Sequence, residues 1–197
     1  MSKSASIIFL LFAAAGMLLP SFAHAHGSID EAGGFMHGLA HPINGLDHVC
    51  AMLAVGLWAV QTGGRFVWVM PLTFVGVMAL GGALPMLGIS LPFVEQGIVL
   101  SVLLLGVLIA ASVRLPLALA GSLIGLFALW HGHAHGAEMP ALSSGITYAL
   151  GFMLATSLLH AIGITFGLGM QWLVRERAVR FAGAGIALCG VYLAAVA

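Results

Sequence analysis

The sequence predicts an all-α integral membrane protein with six transmembrane helices that follow a cleavable signal peptide. Hydrophobic residues make up 61% of its 197 positions and charged residues only 6%, whereas soluble domains are about 45–50% apolar and about 25% charged. So few charges cannot cover a water-facing surface, and a disordered chain needs the opposite composition. The apolar residues also form long unbroken runs, unlike the alternating segments of about 10 residues in membrane β-barrels.

Residues 1–25 have the layout of a secretory signal peptide. Lys3 supplies a positive charge, a short apolar core follows, and Ala23-His24-Ala25 is a small-x-small cleavage site. Cleavage there would leave residues 26–197 as a single six-helix transmembrane domain that begins on the outer side of a bacterial inner membrane. The alternative is an uncleaved first helix, but the apolar core is short for a span of about 20 residues.

The rest of the chain divides into six apolar runs, each long enough to cross an apolar layer of about 30 Å as a helix. The runs cover residues 36–60, 66–88, 95–113, 116–137, 142–170 and 180–197. With residue 26 outside, all arginines after the signal peptide lie at the cytoplasmic ends of these runs. They are Arg65, Arg114, Arg175, Arg177 and Arg180. The positive-inside rule therefore supports this orientation.

Charge balance and missing motifs exclude several functions. Six lysines and arginines balance six aspartates and glutamates, which leaves no basic patch for nucleic acid. No G-x-x-x-x-G-K-[ST] loop occurs, so this chain implies no ATPase subunit. Cys50 and Cys189 lie in apolar runs, so no disulfide framework is expected.

The first candidate metal site lies in the first apolar run. Ionisable residues inside spans are costly and usually functional. On a regular helix His37, His41 and His48 share a face, because their offsets are four and seven residues. Asp47 would join this site or orient an imidazole, and the Pro42 region can distort the turn. The alternative is a set of interfacial histidines braced by Asp47.

The second candidate site is at the outer end of the fourth run. His131, His135 and Glu138 have offsets of zero, four and seven, so one helical face would present two imidazoles and a carboxylate, which suits a divalent first-row metal. His133 would point elsewhere, towards water. His160, near the middle of the fifth run, is a further candidate ligand. The alternatives are a histidine patch in an outer loop and, for His160, a neutral imidazole bonded to a neighbouring helix.

The pattern His-Gly-x-Ala-His occurs twice, at residues 37–41 and 131–135. The first copy enters the membrane from outside and the second leaves towards the outside. The pattern is therefore compatible with a 3+3 inverted repeat, which is a transporter architecture.

At these residues the chain resembles the HupE/UreJ family of nickel and cobalt permeases. His41, Asp47 and His48 meet the family motif H-x5-D-H. The second motif, F-H-G-x-A-H-G-x-E, is matched from His131 to Glu138, with tryptophan in place of the phenylalanine. His37 is not part of the family pattern. The likeness covers nearly the whole chain.

The resemblance implies a secondary permease, not an enzyme, that takes up Ni²⁺ or Co²⁺ for hydrogenase or urease maturation. The metal would be cargo and not a cofactor, and cytoplasmic metallochaperones would be partners beside the lipid bilayer. Spacing alone indicates only a membrane site for a divalent metal and does not rank nickel over cobalt or copper. Two other classes stay open: a membrane-embedded metal- or haem-binding enzyme, and a metal-binding or sensor protein that does not transport.

Overall fold

The computed structural model describes residues 31–139, 144–173 and 176–196, and the predicted signal peptide lies outside these ranges. Over the described residues the chain forms seven α-helices and no strand. In chain order they are α1 (Glu31–Asn44), α2 (Leu46–Thr62), α3 (Phe66–Met86), α4 (Val94–Ala110), α5 (Leu117–Ala137), α6 (Gly145–Leu173) and α7 (Glu176–Val196). The prediction of an all-α chain is confirmed.

From residue 66 onwards the helices follow the predicted apolar runs to within a few residues. Four helices are long and apolar enough to cross a membrane, and they are Phe66–Met86, Leu117–Ala137, Gly145–Trp172 and Arg177–Val196. The helix α4 is apolar but shorter, at 17 residues. Six spans require that α4 and the pair of α1 and α2 also cross, so the count of six stays a prediction.

The first predicted run is not a single helix. It is divided at Gly45 into α1 and α2, which are bent by 80° relative to each other. Gly45 has an extended backbone, with φ −93° and ψ 117°, and Pro42 near the end of α1 lacks the N–H that would continue the helical hydrogen bonding. His48 therefore lies on a different helix from His37 and His41. The prediction that these three share one helical face was wrong, because the break redirects α2.

Large apolar side chains cover the outside of the helix bundle. Trp172, Phe181 and Ile146 are 85%, 76% and 74% exposed, respectively. Extended exposed apolar surface of this kind marks a surface that contacts lipid or another protein. Together with the apolar helices, it supports a multi-pass membrane protein.

Several helix pairs approach each other closely at glycines, and two of them illustrate the contact. Where α1 packs on α6, Gly38 lies against the backbone carbonyl of Tyr148, and where α3 packs on α5, Gly132 lies against the backbone carbonyl of Met78. A Cβ atom at either glycine would collide with that carbonyl. Small residues allow such close backbone contact between membrane helices. The contacts fix the positions of the helices that bear the histidines.

Candidate metal-binding site

Three histidines from two helices meet in the interior of the bundle. His48 lies in the first turn of α2, and His131 and His135 lie one turn apart on α5. The Nδ1 atom of His48 is 3.2 Å from Nδ1 of His131 and 2.9 Å from Nε2 of His135. We call these residues the three-histidine group. Nitrogen ligands about 2 Å from a first-row metal ion lie on the order of 3 Å from one another, so this spacing suits one ion.

A serine of α4 determines which nitrogen of His131 carries the proton. The Oγ atom of Ser101 donates its only proton to the carbonyl oxygen of Ile98, at 2.6 Å. Its second contact, 2.9 Å from Nε2 of His131, must then accept the imidazole N–H. The Nδ1 atom of His131 is left with a lone pair that faces His48. Metal-ligating histidines usually donate their far N–H to a partner in this way.

A threonine of α6 contacts the other side of the His48 ring. The hydroxyl of Thr156 lies 3.3 Å from Nε2 of His48 and 3.6 Å from Sδ of Met78. Thr156 therefore occupies Nε2, and the Nδ1 atom of His48 faces His131 and His135. Both Nδ1 atoms, of His48 and of His131, are placed where one cation could contact them together.

His135 also belongs to a second group of potential ligands, with His41 and Glu138. The Oε2 atom of Glu138 is 2.8 Å from Nε2 of His41 and 3.7 Å from Nδ1 of His135. We call these three residues the carboxylate group. The side chains of His41 and Glu138 are 35% and 54% exposed, whereas His48 and His131 are almost completely buried. His135 therefore connects an exposed group to a buried group.

Aromatic rings surround the three-histidine group. The ring of Phe152 on α6 is centred 5.4 Å from that of His48 and 4.4 Å from that of His135. Phe74 on α3 lies 5.7 Å from His131. A largely apolar cavity of about 480 Å³ between α3, α5 and α6 also reaches His135. Apolar walls lower the local dielectric constant and strengthen interactions between a cation and its ligands.

The structure brings together five of the eight predicted ligands. These are His41, His48, His131, His135 and Glu138. Asp47 instead accepts a hydrogen bond at Oδ1 from the backbone N–H of His48, at 2.7 Å, in the first turn of α2. His37 is exposed on α1 and belongs to neither group. His160 is buried beside Phe74, with ring centres 5.3 Å apart.

His133 points away from both groups, as predicted, but it does not face water. It is 8% exposed, and its Nε2 atom accepts a hydrogen bond from the backbone N–H of Leu91, at 3.1 Å. His133 therefore attaches α5 to the segment that connects α3 and α4.

Sequence reasoning missed the residues that orient the imidazoles. Ser101, Thr156 and Phe152 were not among the predicted site residues. Hydroxyl side chains inside apolar runs are a signal that could have drawn attention to Ser101 and Thr156. Their partners could not be inferred, because each comes from a different helix than the histidine that it contacts.

Apolar helices around convergent histidine nitrogens define a multi-pass membrane protein with a group of potential metal ligands inside the helix bundle. Residues 13–193 match the family described as HupE / UreJ protein. The chain is 45% identical over 179 residues to protein HupE of Rhizobium leguminosarum bv. viciae, which covers 91% of this chain and 93% of that protein. The chain therefore belongs to the HupE/UreJ family, as its motifs predict. No solved structure matches it.

The HupE/UreJ family consists of accessory, permease-like membrane proteins that are associated with hydrogenase, urease, nickel and cobalt, and they are not enzymes. Membership removes the enzyme alternative that composition and spacing had left open. A metal-related role for the buried histidines agrees with this family.

Proposed function

We propose that this protein is a secondary permease that takes up Ni²⁺ or Co²⁺ across the bacterial inner membrane and supplies the maturation of hydrogenase or urease. The proposal rests on the Nδ1 atoms of His48 and His131, which face each other across 3.2 Å. Nickel and cobalt accept imidazole nitrogen and carboxylate oxygen, which are the ligand atoms present in the two groups.

The carboxylate group and the three-histidine group together form a short path for the ion. The exposed carboxylate group captures the cation, because Glu138 supplies negative charge next to His41. The ring of His135, which has one nitrogen on each side, then passes the ion to His48 and His131. Transport requires binding that is weak enough to allow release, and mixed nitrogen and oxygen ligands meet that need better than a thiolate cage would.

The remaining predicted ligands have supporting roles in this proposal. Asp47 holds the first turn of α2, so that His48 is presented to the buried group. His37 lies one turn before His41 on the exposed part of α1 and increases the number of imidazoles near the entrance. His160 lies further along the path.

The packing of the helices supports the 3+3 inverted repeat. In this repeat, α1 and α2 together correspond to α5, α3 corresponds to α6, and α4 corresponds to α7. The contact of α1 and α2 with α6 then corresponds to the contact of α5 with α3, and the contact of α4 with α7 corresponds to itself. Gly38 and Gly132, in the two His-Gly-x-Ala-His segments, each lie against a backbone carbonyl of the partner helix. Repeats of this type place substrate sites between the two halves.

The membrane potential can drive uptake without a nucleotide. Moving one charge inwards across 100 mV releases about 2.3 kcal/mol, and a divalent ion gains twice as much. With the amino terminus outside, entry at Glu138 leads to the cytoplasm, where metallochaperones would receive the ion.

Uptake of radioactive nickel into proteoliposomes tests the proposal. We expect accumulation above that of protein-free liposomes, and a loss of at least about tenfold in His48→Ala, because one of the converging nitrogens is removed. Ser157→Ala is a matched control, since the Ser157 hydroxyl is exposed on α6 and bonds only the carbonyl of Met153. If the wild-type protein binds nickel but does not accumulate it in the vesicles, the protein is a non-transporting metal-binding protein and the proposal is wrong.

A further inference from the structure

His160 is a buried histidine that belongs to neither metal-binding group. It lies on α6 and is 1% exposed, and neither of its ring nitrogens has a hydrogen-bond partner among the described residues. Buried polar groups without a partner are costly and uncommon in folded proteins. Inside a membrane such a group indicates a functional position.

Contacts on two neighbouring helices show that His160 lies deeper in the bundle than the three-histidine group. On α6, Thr156 contacts His48, and His160 follows one turn later, about 6 Å further along the helix axis. On α3, Met78 contacts Thr156, and Phe74, one turn closer to the beginning of α3, contacts His160. Both helices therefore place His160 on the side of the three-histidine group that is away from Glu138.

The ring of Phe74 contacts both buried positions. Its centre is 5.3 Å from the ring of His160, at an interplanar angle of 81°, and 5.7 Å from the ring of His131. Aromatic faces attract cations, so a ring in contact with both positions presents no electrostatic barrier to an ion that moves from His131 to His160.

We propose that His160 is a second, deeper binding position for a divalent first-row transition-metal ion, which reaches it from the three-histidine group past the ring of Phe74. This inference deepens the proposed permease function and rests on it. A single imidazole holds such an ion weakly, and a position from which the ion must be released needs weak binding.

An isosteric pair of substitutions separates ligation from packing. His160→Cys and His160→Ser differ in one atom, and thiolate sulfur is a metal ligand whereas a serine hydroxyl is a poor one. In proteoliposomes supplied with external radioactive nickel, we expect the uptake rate to fall at least about tenfold in His160→Ser. The rate of His160→Cys should stay at least about threefold above that of His160→Ser. Both variants should keep the nickel affinity of the wild-type protein, because the three-histidine group is intact. If His160→Ser does not fold, His160→Asn replaces it as the variant that lacks a strong metal ligand.

A spectroscopic readout tests the position independently of transport. When Co²⁺ binds a cysteine, the thiol loses its proton and the thiolate gives a charge-transfer absorption band. We expect this band in cobalt-loaded His160→Cys protein in detergent. The wild-type protein, which contains only Cys50 and Cys189, is the background.

The two readouts separate the inference from the proposed function. A cobalt–thiolate band with no nickel uptake by the wild-type protein would retain the deeper position and overturn the permease. Nickel uptake by the wild-type protein, with no band and equal rates for the serine and cysteine variants, would retain the permease and show that His160 is only a packed core residue.

Discussion

At the scale of single residues, His135 links the two parts of the site. Its Nε2 atom faces His48 of the buried three-histidine group, at 2.9 Å, and its Nδ1 atom faces Glu138 of the exposed carboxylate group, at 3.7 Å. No other described residue belongs to both groups. Removing this ring should therefore damage both groups at once, whereas a neighbouring histidine on the same helix should not matter for binding.

We expect His135→Ala to lower equilibrium nickel affinity by at least about tenfold, which is about 1.4 kcal/mol. His133→Ala is the matched control, because His133 bonds the backbone of Leu91 instead of facing either group. It should retain nickel affinity while losing about 1 kcal/mol of stability from that hydrogen bond. Equilibrium dialysis with nickel on detergent-purified protein checks the affinities. Equal losses in both variants would show that the grouping of these histidines is wrong.

The role of Asp47 can be tested in the same assay. Because its Oδ1 atom accepts the backbone N–H of His48, Asp47→Asn keeps an oxygen acceptor and should retain nickel affinity within about twofold. Asp47→Ala removes the acceptor of the His48 backbone N–H and should lower the free energy of unfolding by about 1 kcal/mol. If Asp47→Asn binds nickel as poorly as His48→Ala does, then the carboxylate is a direct ligand and this role is refuted.

At the scale of helices, backbone contacts at glycines position the site. The helix α5 presents His131 and His135, and Gly132 between them lies against the carbonyl of Met78 on α3. A larger side chain would push α3 and α5 apart. The break between α1 and α2 has a comparable role, since it allows His41 and His48 to approach α5 from two different helices.

Gly132→Ala should destabilise the protein by about 1–3 kcal/mol, because its methyl group meets backbone atoms that cannot move aside. Gly121→Ala is the control on the same helix, since a Cβ atom there meets nothing within 4 Å. This control should leave stability unchanged or raise it by up to about 1 kcal/mol. Thermal unfolding in detergent measures both. Equal melting temperatures would mean that α3 and α5 do not pack as closely as the structure shows.

At the scale of the whole molecule, the carboxylate group and Arg180 lie at opposite ends of the bundle. Arg180 at the beginning of α7 donates to the carbonyl of Ala110 at the end of α4, at 2.8 Å, so both elements meet at the arginine end. Glu138 follows the far end of α5, whose 21 residues extend about 30 Å. The proposed metal entrance is thus separated from the arginine end by the length of a transmembrane helix.

This arrangement predicts an outer carboxyl terminus and an outer mature amino terminus at His26. Alkaline phosphatase, which is active only outside the inner membrane, should be active when fused after residue 197 and inactive when fused after Arg114. Sequencing of the purified protein should begin at His26. An intact segment that contains Lys3 would contradict cleavage and add one further span.

The sequence by itself determined the class of protein and the apolar segments after residue 65, because composition and hydropathy depend only on neighbouring residues. It also determined most of the potential ligands, because ionisable groups stand out in apolar runs. The tertiary structure decided the break at Gly45 and the grouping of the ligands. His48 and His131 are 83 positions apart, and the hydroxyls of Ser101 and Thr156 that contact their rings come from two further helices. Contacts between residues so distant along the chain follow from helix packing, which local sequence patterns do not specify.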